Sequence, residues 1–181
     1  EKKIINKIIE PTFKAMKDLG NDYSGFLYAG LMIKNNNPYL IEYNVRMGDP
    51  ECQVILPLLK SNFLELILAC NERRLDNFQI KWKKNKSMCI VLCAKGYPDK
   101  YKKNIEIKNL TKIKEDKNNY LFHAGTNKKG NKYYSTGGRV LNFVNISSSF
   151  LNSRNNIISL IKKLNWNNGF YRKDIGHRVI D

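Results

Sequence analysis

The stretch YLIEYNVRMGDPE, Tyr39 to Glu51, reads as a β-strand that runs into a tight loop and then into a helix. Side chains alternate between the two faces of a strand. Ile41, Tyr43 and Val45 therefore share one face, and Leu40, Glu42, Asn44 and Arg46 share the other. A carboxylate, a carboxamide and a guanidinium thus follow one another on one face, backed by an apolar face suited to a core. Two hard oxygen ligands two residues apart, with a cation beside them, suit Mg²⁺ held against a polyphosphate, because such sites use one or two carboxylates and leave the other positions to phosphate and water. The same alternation also describes a half-exposed antiparallel strand with a solvated face. Asp49 before Pro50 reads as a helix N-cap with proline at the first helical position, and Glu51 suits the first turn. Spacing alone leaves the functional and structural readings both open.

Outward from this strand, residues 2–19 read as an amphipathic helix with Ile5, Ile8, Ile9 and Phe13 on one stripe and Gly20 as its stop. Phe26–Lys34 and Pro38–Val45 read as a hairpin turned at Asn35–Asn37. A short helix follows from Pro50 to near Pro57. A second starts at Ser61 as N-cap, with Leu64, Ile67 and Leu68 on its apolar side. Polarity rises over Leu75 to Lys86, which sets a boundary between residues 1–76 and residues 77–181.

The second part reads as β-rich. Its strands are Met88–Ala94, Asn104–Ile107, Tyr120–Ala124, Lys132–Ser135 and Arg139–Ile146, with turns at Gly96-Tyr97-Pro98, Lys129-Gly130-Asn131 and Gly137-Gly138. One amphipathic helix follows from about Ser149 to Leu164, with Phe150, Ile157, Ile161 and Leu164 inward; Trp166, Phe170 and Tyr171 then anchor the tail. The fold class is α+β, with no internal repeat.

Composition narrows the function classes. The 181 residues are 42% hydrophobic, ordinary for a soluble globular chain. No apolar run reaches the ~18 residues that a bilayer span needs. EKKIINKIIEPTF is an amphipathic helix and not a signal peptide, and without an initiator Met the chain reads as a piece of something longer. Cys52, Cys70, Cys89 and Cys93 lack paired C-x₂-C knuckles, and His123 and His177 lie in other blocks, so reduced thiols of a cytoplasmic protein are expected instead of a zinc site. The net charge of +16 suggests nucleic acid. Arginine, however, supplies only seven of the 32 basic residues, and lysine is spread along the chain beside abundant asparagine. That pattern matches drift toward A/T-rich codons and not a clustered arginine and aromatic surface, so neither a nucleic-acid nor a membrane partner is expected.

The blocks GFLYAGLMI (Gly25–Ile33), IEYNVRMGDPE (Ile41–Glu51), LPLLKS (Leu56–Ser61), GYP (Gly96–Pro98), FHAGT (Phe122–Thr126), TGGRVL (Thr136–Leu141) and YRKDIGHR (Tyr171–Arg178) resemble, in order and in spacing, the C-terminal part of the phosphoribosylamine–glycine ligase family of the ATP-grasp superfamily. The resemblance covers nearly the whole chain. It implies that residues 1–76 are the C-terminal part of an ATP-grasp domain and residues 77–181 a smaller β-rich C-terminal domain with one amphipathic helix. It also implies ATP-dependent joining of glycine to 5-phosphoribosylamine through glycyl phosphate, with ATP as co-substrate and Mg²⁺ or Mn²⁺ as cofactor.

Position by position, the resemblance makes Glu42 and Asn44 the metal ligands, and Arg46 the group that steadies the transferred phosphoryl, unless it serves a surface salt bridge. Asp49 is implied as catalytic, and Gly48 and Glu51 as substrate-binding, with the two carboxylates facing the amine of phosphoribosylamine or glycine. Gly137, Gly138 and Arg139 form either a phosphate-holding turn or a plain glycine turn between strands. Lys173 or Arg178 would meet the ribose phosphate. The preceding strand LYAGLMI carries no carboxylate, unlike many superfamily members, so two side chains make up the expected metal shell of this chain. The family's glycine-rich ATP loop and N-terminal domain would lie upstream of Glu1, and residues 1–181 alone are expected to be inactive. The alternatives are another ATP-grasp carboxylate–amine ligase, against which the GDPE loop argues because related carboxylases tend to carry histidine there, and a basic nucleic-acid-binding module.

Overall fold

The computed structural model describes Glu1 through Ile180. The chain folds as two units, one of Glu1–Asp49 with Lys60–Lys81 and the other of Pro50–Leu59 with the chain from Trp82 onward.

The first unit opens with a helix in three consecutive segments: α1 (Lys2–Ile4), a π-helical turn (Ile5–Ile9) and α2 (Glu10–Asp18). Pro11, which has no N–H to give the carbonyl of Lys7, lies just beyond the widened turn. The expected stripe is covered only at Ile8; Ile5 and Phe13 are exposed. Strands β1 (Tyr28–Lys34) and β2 (Asn37–Asn44) form an antiparallel hairpin. Asn35 and Asn36 both have positive φ, +48° and +60°, as a two-residue hairpin loop matching the strand twist requires. Tyr43 faces the helix, sharing a 2.6 Å hydrogen bond with the Thr12 hydroxyl. Its neighbours on that face, Ile41 and Val45, are 66% and 73% exposed, so the apolar face expected to meet a core is open in this unit.

Helix α4 (Phe63–Asn71) closes the first unit, and Asn62, not Ser61, caps it: the Asn62 Oδ1 accepts from the Leu64 and Glu65 N–H groups at 2.9 and 3.3 Å. Ser61 instead accepts from the Lys81 N–H at 2.7 Å. Both residues are good caps, and the one whose side chain reaches the first turn wins. Asn62→Ala is expected to destabilise the unit by about 1 kcal/mol, read as a lower urea midpoint. An unchanged midpoint would remove the cap from the argument. Leu64, Ile67 and Leu68 are exposed, and Ala69 is the buried residue of this helix.

In the second unit, α3 (Glu51–Ile55) starts one residue later than expected, with Pro50 as the cap residue and no side-chain cap. Strand β3 (Lys86–Ala94) is the antiparallel neighbour of β8 (Arg139–Ser147), in a four-stranded sheet ordered β5 (Asn119–His123), β8, β3, β9 (Gly169–Phe170). Met88, Ile90, Leu92 and Ala94 of β3 are buried in strict alternation, while β8 is buried at every position from Val140 to Ile146 because both its faces are covered. Helix α5 (Phe150–Leu164) packs on β3 and β8 and inserts Ile157, Ile161 and Leu164 into one core with Phe143. Ser149 caps its start, and Asn165 at φ +47° ends it in the left-handed conformation.

A second sheet, β4 (Ile105–Glu106), β7 (Lys132–Ser135), β6 (Thr126–Lys129), completes the unit before the short α6 (His177–Ile180). The buried Trp166 donates its indole N–H to the Glu106 carbonyl at 3.1 Å. All four cysteines are reduced thiols of intermediate burial; burial pushes the Cys93 thiol up, partly opposed by Arg139.

The turn into β5 is pinned by Asp116, whose carboxylate accepts from the Asn118 and Asn119 N–H groups at 2.7 and 2.9 Å. The hydrogen bond from Asn118 leads in holding this carboxyl below the usual aspartate range. Its contribution is therefore complete above the ordinary aspartate pKa and is lost as pH falls through the lower, folded value. The Asn118 amide shift is expected to titrate with a midpoint below that of a free aspartate; a midpoint at or above it would refute the turn's role.

Candidate functional site

The first unit carries Glu42, Asn44, Arg46, Gly48 and Asp49. Strand alternation places Glu42 and Asn44 on one face of β2, and Asn44 Nδ2 donates to Glu42 Oε1 at 3.1 Å. That bond aligns the two side chains, and Glu42 Oε2 and Asn44 Oδ1 are the oxygens it does not use. Two hard oxygens of this kind fit a divalent cation that completes its shell with phosphate and water. Among the described residues no three His, Cys, Asp or Glu side chains group to hold a metal by themselves.

Across the hairpin, Gly30 pairs with Glu42, and a Cβ at Gly30 would stand 3.0 Å from the Glu42 Cγ. Gly30 thus makes room for the Glu42 stem, a role the sequence reading missed, since the cross-strand partner depends on a register that shifts between Gly30 and Leu31. Arg46 lies beyond the strand, exposed, with its guanidinium donating to the Met47 carbonyl at 2.9 Å. Gly48 is buried in the loop and Asp49 is exposed.

The second unit carries Glu51, Gly137, Gly138, Arg139 and Lys173. Glu51 is the first residue of α3 and half-buried. The link between β7 and β8 is built on Gly125. The Gly125 N–H donates to the Arg139 carbonyl at 2.9 Å, and its carbonyl accepts from the Thr136 and Gly137 N–H groups at 2.7 and 3.2 Å. A Cβ on Gly125 would stand 2.5 Å from the Gly137 Cα. The FHAGT and TGGRVL blocks therefore meet backbone to backbone, a contact between distant segments that neither block announces alone.

Gly138 is buried beneath the Tyr97 ring, which fills the space a side chain there would need, and its carbonyl accepts from the Ala94 N–H at 2.7 Å. Arg139 is exposed at the start of β8, opposite Cys93 of β3. Lys173 is exposed in the C-terminal segment; its carbonyl accepts from Arg154, and it lines, with Trp166, Phe170 and Tyr171, a cavity of about 310 Å³. Beside it, Arg172 forks onto Asp174 at 3.1 and 2.6 Å, and this hydrogen bonding holds the Asp174 carboxyl below its usual range.

Two family models match the chain: the C domain of phosphoribosylglycinamide synthetase over residues 87–178 and the ATP-grasp (A) domain of the same enzyme over residues 1–52. The chain belongs to the phosphoribosylglycinamide synthetase family. Phosphoribosylamine–glycine ligase of Caldanaerobacter subterraneus is 42% identical over 179 residues, covering 97% of this chain and 42% of that protein. The Brucella melitensis ligase is 40% identical, covering 98% and 42%, and a bifunctional purine biosynthetic protein of Dictyostelium discoideum is 37% identical, covering 98% and 23%. The crystal structure of phosphoribosylamine–glycine ligase from Thermotoga maritima superposes with a TM-score of 0.77 at 32% identity, over 96% of this chain and 43% of that one. The chain thus spans 42% of the length of the Caldanaerobacter and Brucella ligases.

Within this synthetase family chain, the Glu42–Asn44 strand lies in the stretch matched by the A domain, and the Gly125–Gly137 junction in the stretch matched by the C domain. No helix among the described residues is long and apolar enough to cross a membrane.

Proposed function

We propose that this chain is the C-terminal portion of an ATP-dependent ligase that joins glycine to 5-phosphoribosylamine, giving glycinamide ribonucleotide, ADP and phosphate. The observation that carries the reading is the aligned Glu42–Asn44 pair, on a strand of a chain that both synthetase domain models match. Residues 1–76 are read as the end of the ATP-grasp domain and residues 77–181 as the β-rich C-terminal domain, working in the cytoplasm.

In this reading a glycine carboxylate oxygen attacks the γ-phosphorus of ATP, the bond to ADP breaks, and glycyl phosphate forms. The amine of phosphoribosylamine then attacks the acyl carbon, phosphate leaves, and the amine gives up a proton. Phosphoryl transfer needs mainly positioning and charge stabilisation. Glu42 and Asn44 would hold Mg²⁺ or Mn²⁺, which supplies charge neutralisation at the phosphates. Arg46, released from the Met47 carbonyl, offers a forked cation to the transferring phosphoryl. Asp49 is assigned to orienting the incoming amine, and Gly48 and Glu51 to substrate binding. Arg139, standing on the Gly137-Gly138 turn, and Lys173 take the ribose phosphate.

The open apolar side chains of the first unit, Ile41, Val45 and the 64% exposed Leu64, fit a surface that the remaining, N-terminal part of such a ligase covers. Residues 1–181 alone are accordingly expected to release no ADP. The test uses the full-length protein: ADP release is followed with glycine and phosphoribosylamine together and with each omitted in turn. Release that needs both supports the reading. Release with a different acid or amine, or none at all, overturns it.

A further inference from the structure

Apart from the residues of the proposed ligase site, the second unit holds a cavity of about 540 Å³ lined by Lys95, Lys100, Tyr101, Lys102, Ile105 and Asn168. That volume falls inside the range of about 300–1,000 Å³ typical of small-molecule sites. Its frame is fixed by backbone. The Lys95 N–H donates to the Asn168 carbonyl at 2.8 Å, the Tyr97 N–H to the Ala94 carbonyl at 3.0 Å, and the Asn104 N–H to the Ser135 carbonyl at 2.6 Å.

Gly96, at φ +104°, lets the Lys100 carbonyl approach where no side chain would fit, folding the loop back so that Lys95 and Lys100 face one volume. Tyr101 and Ile105 pack against the core, and the Tyr101 ring meets Tyr97 edge-on at 6.2 Å. The walls are thus preformed, while the three lysine side chains are exposed.

The charge in this cavity is of one sign. No Asp or Glu lines it; Asp99, in the same loop, is not part of its wall. Among the described residues no carboxylate forms an ion pair with Lys95, Lys100 or Lys102. Three ammonium groups around one volume repel one another, and an anion between them removes that repulsion while a concave wall concentrates the field.

We propose that this cavity binds a phosphorylated small molecule. Its phosphate oxygens are taken by Lys95, Lys100 and Lys102, with the Asn168 carboxamide as a neutral donor and Tyr101 and Ile105 against its organic part. The proposal is independent of the ligase reading, because none of its residues takes part in that site.

The experiment treats the full-length protein, free of divalent metal, with limiting pyridoxal 5′-phosphate. This probe carries a phosphate and an aldehyde whose carbon forms an imine with a lysine Nζ as water leaves; borohydride then delivers hydride to the C=N bond and fixes the label for peptide mapping. Within residues 1–181, labelling of Lys95, Lys100 or Lys102 is expected to exceed that of the exposed Lys114 and Lys163 by about tenfold, and excess inorganic pyrophosphate is expected to suppress it by a similar factor. Lys95→Gln is expected to lower the label on Lys100 and Lys102 by about tenfold, and Lys163→Gln to leave it unchanged. Label spread in proportion to exposure, label that pyrophosphate does not protect, or equal losses in the two variants would each overturn the proposal and leave only a diffuse positive field.

Discussion

Glu42→Gln in the full-length protein is expected to lower ADP release by about a hundredfold or more, the loss typical when one preorganised charge-stabilising group is removed from a transition state. In barrier height that is about 2.7 kcal/mol. The substitution isolates charge from shape. Glutamine keeps an amide oxygen where Asn44 Nδ2 donates at 3.1 Å, and it keeps the stem that Gly30 accommodates. Glu42 is exposed and makes no ion pair among those of the described residues, so stability should not change. What disappears is one formal negative charge and one strong ligand for a divalent cation. Residual turnover should therefore need a higher Mg²⁺ or Mn²⁺ concentration, a readout that a structural role would not move. Turnover within about threefold of the parent chain, with an unchanged metal dependence, would make this face of β2 a solvated strand face and nothing more.

How much of this was legible in the sequence follows from the range of each signal. Strand alternation needs only neighbouring residues, so Glu42 and Asn44 could be placed on one face, and the hairpin was marked by its polar turn. The second-unit core was legible for the same reason, as alternation in β3, an apolar run in β8 interrupted only by Asn142 and Asn145, and a helical period in α5. Alternation says which side chains share a face, however, and not what covers that face. Ile41 and Val45 pointed together as expected, yet they are exposed, as a two-stranded sheet buries little by itself. The two-residue strand β9 carries no period at all and exists through its partner β3, whereas β4 falls inside the strand read at Asn104–Ile107. Gly30, Gly125 and Tyr97 were invisible as supports of the candidate site because each acts through a residue distant in sequence. Gly138 shows the limit most clearly. Two adjacent glycines read as N–H groups open to a phosphate, but the Tyr97 ring lies over the second of them.

Gly125→Ala is expected to destabilise the second unit by about 3 kcal/mol, the upper end of what overpacking costs, because the atoms it meets cannot step aside. Its Cβ would stand 2.5 Å from the Gly137 Cα, 2.6 Å from the Gly137 nitrogen and 2.7 Å from the Arg139 carbonyl oxygen, all of them backbone. Relief requires the β5 end and the β7–β8 link to separate, which stretches the 2.9 Å bond to Arg139 and the 2.7 Å bond from Thr136. Gly130→Ala separates space from backbone conformation. Gly130 has φ +58° but nothing within 4 Å of its Cβ position, so only the left-handed strain of about 1 kcal/mol applies. Thermal melts of the two full-length variants should therefore differ by several degrees, with Gly125→Ala the lower. If Gly125→Ala melts no lower than Gly130→Ala, the backbone junction between the FHAGT and TGGRVL blocks is looser than its geometry implies, and Arg139 loses the rigid base on which its phosphate-binding role was argued.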